Sequence, residues 1–368
     1  MNICTTIGIA VLSAALMFGA EFSYAKPGKG GGDNGGGGST NPKDSALEFL
    51  RSQMPPGGLI DSFIEDNQDW AYTYDNAMGA IAFLEAGDIA SAQSILDTFA
   101  TIGPEPSGGF LHRYRASDGG PASGLLRAGH NGYLIQAMNL YYRQTGDARY
   151  NAIAVGIADY MLSLQDPTDG GIVGHATVTW KSTENNLGAL SGIYNLGIVQ
   201  NLPEYLDRAD QIALFLTTFC WDGTRFLTGK NDPTIATDTQ ALGAMVLGAN
   251  YTNGAYWIQD HTLATYTSGR GKNSINIEGF DMNIDRDTIW TEGTLQQSIA
   301  FLVAADPALA SYYLGQTEVL AHSSGAFYQA SNQGTTGFGE FFYHWQAAGP
   351  SIWYVLASLQ VNPLRLLP

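Results

Sequence analysis

Two kinds of apolar segment alternate along this chain. At about Ser45–Gln53, Ile89–Ala100, Ala148–Leu164, Glu204–Phe219, Ala255–Thr267 and Pro307–Leu320, apolar residues recur at helical spacing on one face, as Ile95, Leu96 and Phe99 do. Between them, Met78–Leu84, Tyr133–Leu140, Leu187–Leu196, Ala241–Leu247, Leu295–Val303 and Ile352–Leu359 are apolar on more than one face and rich in Ala and Gly. A helix that is apolar nearly all round must be buried on most sides. The alternation therefore predicts an all-α fold, an (α/α)6 barrel in which six inner helices are wrapped by six outer ones. An open α-solenoid is the alternative, but it requires polar terminal caps, and the last inner segment is as apolar as the others.

The inner runs open on polar groups at a regular interval. Thr183-Glu184, Thr237-Asp238 and Thr291-Glu292 follow one another at 54 residues. The same interval leads back to Gly129-His130 and, one residue longer, to Tyr74-Asp75; a slightly longer one leads forward to Gly349-Pro350-Ser351. A period of about 50 residues marks an array of like supersecondary units. In a toroid the inner helices run parallel, so Asp75, His130, Glu184, Asp238, Glu292 and Ser351 are expected around one mouth. The connections Thr101–Gly129, Ser268–Thr291 and Ala321–Pro350 are longer than structureless connectors usually are, which predicts binding loops or small hairpins. Gly109-Phe110, Gly171-Ile172, Arg225-Phe226 and Ala326-Phe327 recur within the connections and are expected in short strands or turns.

Only 14% of residues are charged, against a usual quarter, so the surface leans on Asn, Gln, Ser, Thr, Tyr and Gly. Such a surface suits neutral, hydroxyl-rich ligands. A net charge of −17 repels nucleic acid and anionic lipid, although a local basic pocket could still receive a uronate. Ile7–Ala20 is too short to span a membrane, and Ser23-Tyr24-Ala25 follows as a small-residue cleavage site, so residues 1–25 read as a secretory signal, with an uncleaved anchor as the alternative. Residues 26–44, with two glycine runs, read as a flexible linker, and 45–368 as one folded domain, expected to act as a monomer without a membrane partner. Past that signal only Cys220 remains, which leaves no intrachain disulfide.

Cleaving a glycosidic bond needs a carboxylic acid to protonate the leaving oxygen and a second carboxylate as base or nucleophile. The repeat offers Asp75, Glu184, Asp238 and Glu292. An acid after Thr is also what any helix start favours, because the hydroxyl caps and the carboxylate faces the dipole. Asp75, after Trp70 and Tyr74, and Glu184, after Trp180, have the most distinctive settings and form the leading pair, since flat aromatic faces are what a sugar ring stacks on. Asn76, His130, Asn131, Lys181, Asn185, Trp290, His344 and Trp345 complete the candidate substrate contacts. Glu278, Asp281, Asp285 and Asp287 offer loop acids instead. His130 with a Tyr and a cation such as Lys181, Arg127 or Arg270 would suit a lyase or epimerase. No zinc or nucleotide signature is present, and Asp166-Pro167-Thr168-Asp169-Gly170 is a weak calcium-like turn, so neither metal nor cofactor is expected.

Tyr74-Asp75-Asn76-Ala77, Trp180-Lys181-Ser182-Thr183-Glu184-Asn185-Asn186 and Trp290-Thr291-Glu292-Gly293-Thr294 resemble the six-hairpin (α/α)6 glycosidases and related polysaccharide-active toroids, over roughly residues 45 to 361. The resemblance implies an exported carbohydrate-active protein, most simply an inverting hydrolase of a polysaccharide or oligosaccharide. That superfamily also holds lyases, epimerases and phosphorylases, and a glycan-binding protein without the acid pair stays open.

Overall fold

The computed structural model of the protein describes residues 41–56, 58–269 and 274–368. The segment read as a signal, most of that read as a linker and Arg270 lie outside the described residues. The first helix, α1 (Pro42–Ser52), takes in the last three residues read as linker; Asn41 caps it and Pro42 occupies its first turn.

Six inner helices follow: α2 (Thr73–Glu85), α4 (Ala128–Thr145), α6 (Thr183–Gln200), α8 (Thr237–Leu247), α10 (Thr291–Val303) and α12 (Ala348–Ser358). Each packs on the next and α12 packs on α2, so the ring is closed and the solenoid alternative is excluded. Outside it lie α1, α3 (Ile89–Ile102), α5 (Asn151–Ser163), α7 (Pro203–Phe215), α9 (Asn253–Trp257) and α11 (Pro307–Thr317). Glycines let the inner helices approach backbone to backbone. A methyl on Gly132 of α4 would collide with the Gly188 carbonyl oxygen of α6.

A sixfold set of hydrogen bonds builds the mouth. On each inner helix the polar side chain at the fourth position binds a buried apolar residue of its own preceding connection: Asn76 takes the Ile60 N–H, Asn131 that of Phe110, Asn186 that of Ile172, Gln240 that of Phe226, Thr294 that of Phe280 and Ser351 that of Phe327. The four amides also donate back to the same residue's carbonyl. Two residues after each apolar anchor, a carbonyl accepts the first N–H of the preceding inner helix: Thr73 to His112, Ala128 to Gly174, Thr183 to Thr228, Thr237 to Met282, Thr291 to Gln329 and, closing the circle, Ala348 to Ser62. Backbone groups orphaned at helix starts are thereby paired.

These bonds correct the register of the repeat. Asn76, Asn131 and Asn186 are equivalent, so the partners of Glu184 are Tyr74 and Gly129, and Asp75 and His130 sit one position further on. All still lie in the first turn of their helices. Ser351 differs in being turned into the core, donating to the Ala347 carbonyl.

The connections carry four two-stranded antiparallel ladders: β1 (Trp70–Tyr72) with β2 (Arg113–Arg115), β3 (Leu263–Ser268) with β4 (Ile275–Phe280), β5 (Phe327–Tyr328) with β8 (Gln346–Ala347), and β6 (Gly334–Thr335) with β7 (Phe341–Phe342). The helix expected over Ala255–Thr267 stops at Trp257. Leu263-Ala-Thr-Tyr-Thr-Ser268 is β-branched and aromatic with a short alternation, and pairing with β4 outcompetes a helix there. The far end of the ring is closed by the C-terminal tail, whose Pro363, Leu364 and Arg365 carbonyls accept from Gln136, Ser191 and Asn195. Among the described residues no helix is long and apolar enough to cross a membrane.

Candidate active site

Four carboxylates and two tyrosines share the mouth. Tyr74 donates its hydroxyl to Glu292 Oε1 over 2.6 Å, Gln296 donates to the same oxygen over 3.0 Å, and the Trp353 indole N–H donates to the Tyr74 oxygen over 2.8 Å. Glu292 is therefore fixed in orientation from three helices. Its other oxygen, Oε2, faces Gly349. A methyl on that glycine would lie 2.6 Å from Glu292 Oε2 and 3.4 Å from Asp75 Oδ1, so the two carboxylates confront one another across a residue without a side chain.

Burial governs the charges. It pushes Asp75 up to about 6, with the Ser62 hydroxyl opposing. It pushes Asp238 up to about 8, reinforced by the neighbouring Glu184 charge. Glu292 also rises to about 8, from burial first and then from Asp75, while the Tyr74 hydrogen bond opposes. Glu184 is raised by burial and drawn down by the Arg127 guanidinium. Desolvation outweighs the helix dipole, which offers only about 0.3–1 kcal/mol to an ionised group at such a terminus.

Tyr133 stands between the carboxylates. Its ring meets Tyr74 edge-on at 5.1 Å, its hydroxyl is buried without a protein partner, and Glu184, Asp238 and Glu292 together with burial push its phenol far up. One turn above, His130 has its imidazole pushed down to about 3 by burial and by Arg127 and His112. Beside the mouth an aromatic wall runs through Trp70, Tyr72, Phe63, Trp345 and Tyr343, with ring centroids 4.2 to 6.5 Å apart. Arg113 lies 3.7 Å over the Trp70 ring.

Several candidate contacts are framework instead. Asn76 and Asn131 spend their amides on Ile60 and Phe110. Asn185 accepts the Gly129 N–H and donates to Ser182, joining α6 to α4. Lys181 is buried between Asp166 at 2.6 Å and Asp169 at 2.7 Å, and Lys230 also holds Asp169, which gives that weak calcium-like turn a different occupation. Trp290 is buried and stacks on Phe342. Trp180 is 45% exposed and lies against His175, while His344 stacks on Tyr328 at 3.7 Å. Of the loop acids, Glu278 accepts from Tyr312. Asp281, Asp285 and Asp287 bring carboxylate oxygens within 4.8 Å of one another and are the described residues that could hold a cation; all three already accept loop N–H or hydroxyl groups.

Tyr133, Gln296 and Trp353 were not singled out from sequence, and Gly349 was read only as a repeat position. Gln296 lies four residues after Glu292 and Tyr133 three after His130, so helical spacing from a known ring residue is the signal that finds them.

No protein-family model matches the sequence, and no curated protein does. Solved structures match over 88% of this chain. A wild-type glycosidase superposes with a TM-score of 0.70 at 13% identity over 96% of its own length. A bacterial glucoamylase complexed with acarbose gives 0.65 at 13%, over 56% of its chain, and a D-mannose isomerase gives 0.63 at 11%, over 96%. The fold is the six-hairpin (α/α)6 toroid of those structures.

Proposed function

We propose that this protein is an exported glycoside hydrolase of polysaccharides or oligosaccharides, with Glu292 as general acid and Asp75 as the opposing carboxylate. The observation that carries the reading is the confrontation of these two groups across Gly349. Near neutral pH Glu292, at about 8, keeps its proton, whereas Asp75, at about 6, has largely lost it. Tyr74 and Gln296 occupy Oε1, so the proton resides on Oε2, the oxygen facing Asp75. It passes to the glycosidic oxygen as the bond to the anomeric carbon breaks, and the Asp75 carboxylate meets the developing positive charge on that carbon.

The separation of Glu292 Oε2 from Asp75 Oδ1 cannot exceed the sum of their distances to the Gly349 methyl position, which is below the ~6.5 Å that leaves room for a water in inverting enzymes. This favours retention over the inversion suggested by resemblance, and Asp75 with Glu292 over Asp75 with Glu184. Glu184 and Asp238 line the same mouth, and the Glu184 charge helps to keep the Asp238 carboxyl protonated. The aromatic wall supplies stacking faces. Glycosidase and glucoamylase neighbours support a carbohydrate substrate. An imidazole near 3 and a Tyr74 phenol pushed far up are poor bases for the lyase or epimerase reading.

Incubation with a panel of glycans, followed by reducing-end release and by NMR of the first anomer formed, tests the proposal. Glu292→Gln should lower turnover at least about a hundredfold with folding intact. Full activity in that variant, or isomerised rather than cleaved sugar, rejects the assignment.

A further inference from the structure

We propose that the mouth recognises a uronate, seating the sugar carboxylate on Arg127 with His112 and His130 beside it. The proposal rests on the reading of the mouth as a glycan site and names the class of sugar. Arg127 is the residue immediately before α4 and is half-buried, close enough to Glu184 to act on its charge. Its guanidinium makes no ion pair or hydrogen bond among the described residues, and its Nε is buried without a partner. The Nδ1 atoms of His112 and His130 are buried and unpartnered as well, and the two rings lie 5.9 Å apart. From His130 the line of rings continues to Tyr74 at 6.0 Å, so this cluster adjoins the hydroxyl that orients Glu292.

Among the described arginines only Arg127 and Arg225 have a buried guanidinium nitrogen without a partner, and Arg225 already holds Asp222 and the Pro233 carbonyl. Lys181, equally placed to face the mouth from sequence, is held by two aspartates. A half-buried guanidinium without an anion carries a desolvation cost that a planar carboxylate offsets through paired, charge-assisted hydrogen bonds. The nearby acids do not defeat this. Asp238 and Glu292 are largely protonated at neutral pH, Glu184 is near enough to feel Arg127 but forms no ion pair or hydrogen bond with it, and the negative surface is screened beyond roughly 8–10 Å at physiological salt.

Isothermal titration of the full protein with glucuronate, galacturonate, glucose, galactose and glucose 6-sulfate tests the site without requiring turnover. At least one uronate should bind about tenfold or more tightly than its neutral counterpart; Arg127→Gln should abolish that ratio and Arg127→Lys should keep part of it. Uronates binding no more tightly than neutral sugars, absence of binding by both included, would overturn the proposal. So would a preference that survives Arg127→Gln, or a sulfate ester that binds better than any uronate. Uronate preference without cleavage of any glycoside leaves this site standing and removes the hydrolase reading; cleavage of neutral glycans without uronate preference does the reverse.

Discussion

The Tyr74 hydroxyl donates to Glu292 Oε1 across 2.6 Å and so ties the first inner helix to the fifth. These residues occupy equivalent positions on α2 and α10, each second in its helix. One place in the repeat thus supplies both the acid and the group that aims it.

The pH dependence of kcat/KM follows from the pair. Asp75 must be ionised and Glu292 protonated, so activity should rise through about pH 6 and fall through about pH 8. Tyr74→Phe removes a donor that favours ionised Glu292 and should move the alkaline limb upward. A limb that stays fixed or moves down in that variant would detach Tyr74 from the acid.

Gly349→Ala places a methyl between the two carboxylates. Turnover should fall more than tenfold while thermal unfolding changes little, because Glu292 Oε2 must move from its position. Unchanged turnover would mean that the space across Gly349 is not where the bond is broken.

Stability should decline as the medium becomes alkaline. Asp238 and Glu292 bind protons more tightly folded than unfolded, so the folded state is favoured at acid pH, below their ordinary 3.8 and 4.5, and loses that advantage as pH rises to about 8. Asp238→Asn should flatten this dependence and raise Tm at pH 9 by about 1–2 °C for each kcal/mol gained, the scale for a chain of this size. Calorimetry across pH 5 to 9 checks the sign.

Lys181→Met should lower the midpoint of urea unfolding, because Asp169 then keeps only Lys230 and Asp166 loses its cation, with turnover per folded molecule unchanged. A selective rise in KM with stability intact would return Lys181 to the substrate.

The closed toroid was legible because alternation between one-faced and many-faced helices depends only on burial, which apolar spacing records directly. The register at Asp75 was not. An alignment on acidic residues matched Asp75 to Glu184, whereas the physical constraint lies in Asn76, Asn131 and Asn186, whose amides each bind a backbone N–H and carbonyl. Read as polar contacts, Asn76 and Asn131 looked like sugar ligands, as did Asn185 beside Asn186. Lys181 misled for a similar reason, since its acid partners at Asp166 and Asp169 come from an earlier turn that spacing alone does not bring near. The stretch Leu263–Ser268 merges into the apolar run that begins at Ala255, although its Thr and Tyr content and short alternation suit the strand it forms with Ile275–Phe280.

The bond from the Ala348 N–H to the Ser62 carbonyl sets an order of assembly. The segment around Ser62 is among the first of the folded part to leave the ribosome, and its partner helix is among the last. Until α12 arrives, Asn76 can clamp Ile60, yet the Ser62 carbonyl has no helix to receive and α2 has an exposed apolar flank. Five hairpins therefore form an open arc with one sticky edge at each end, and the final contact spans nearly the whole sequence, a long-range closure of the kind that slows folding. Loss of the last helix would not trim this protein but leave both edges free to find another copy.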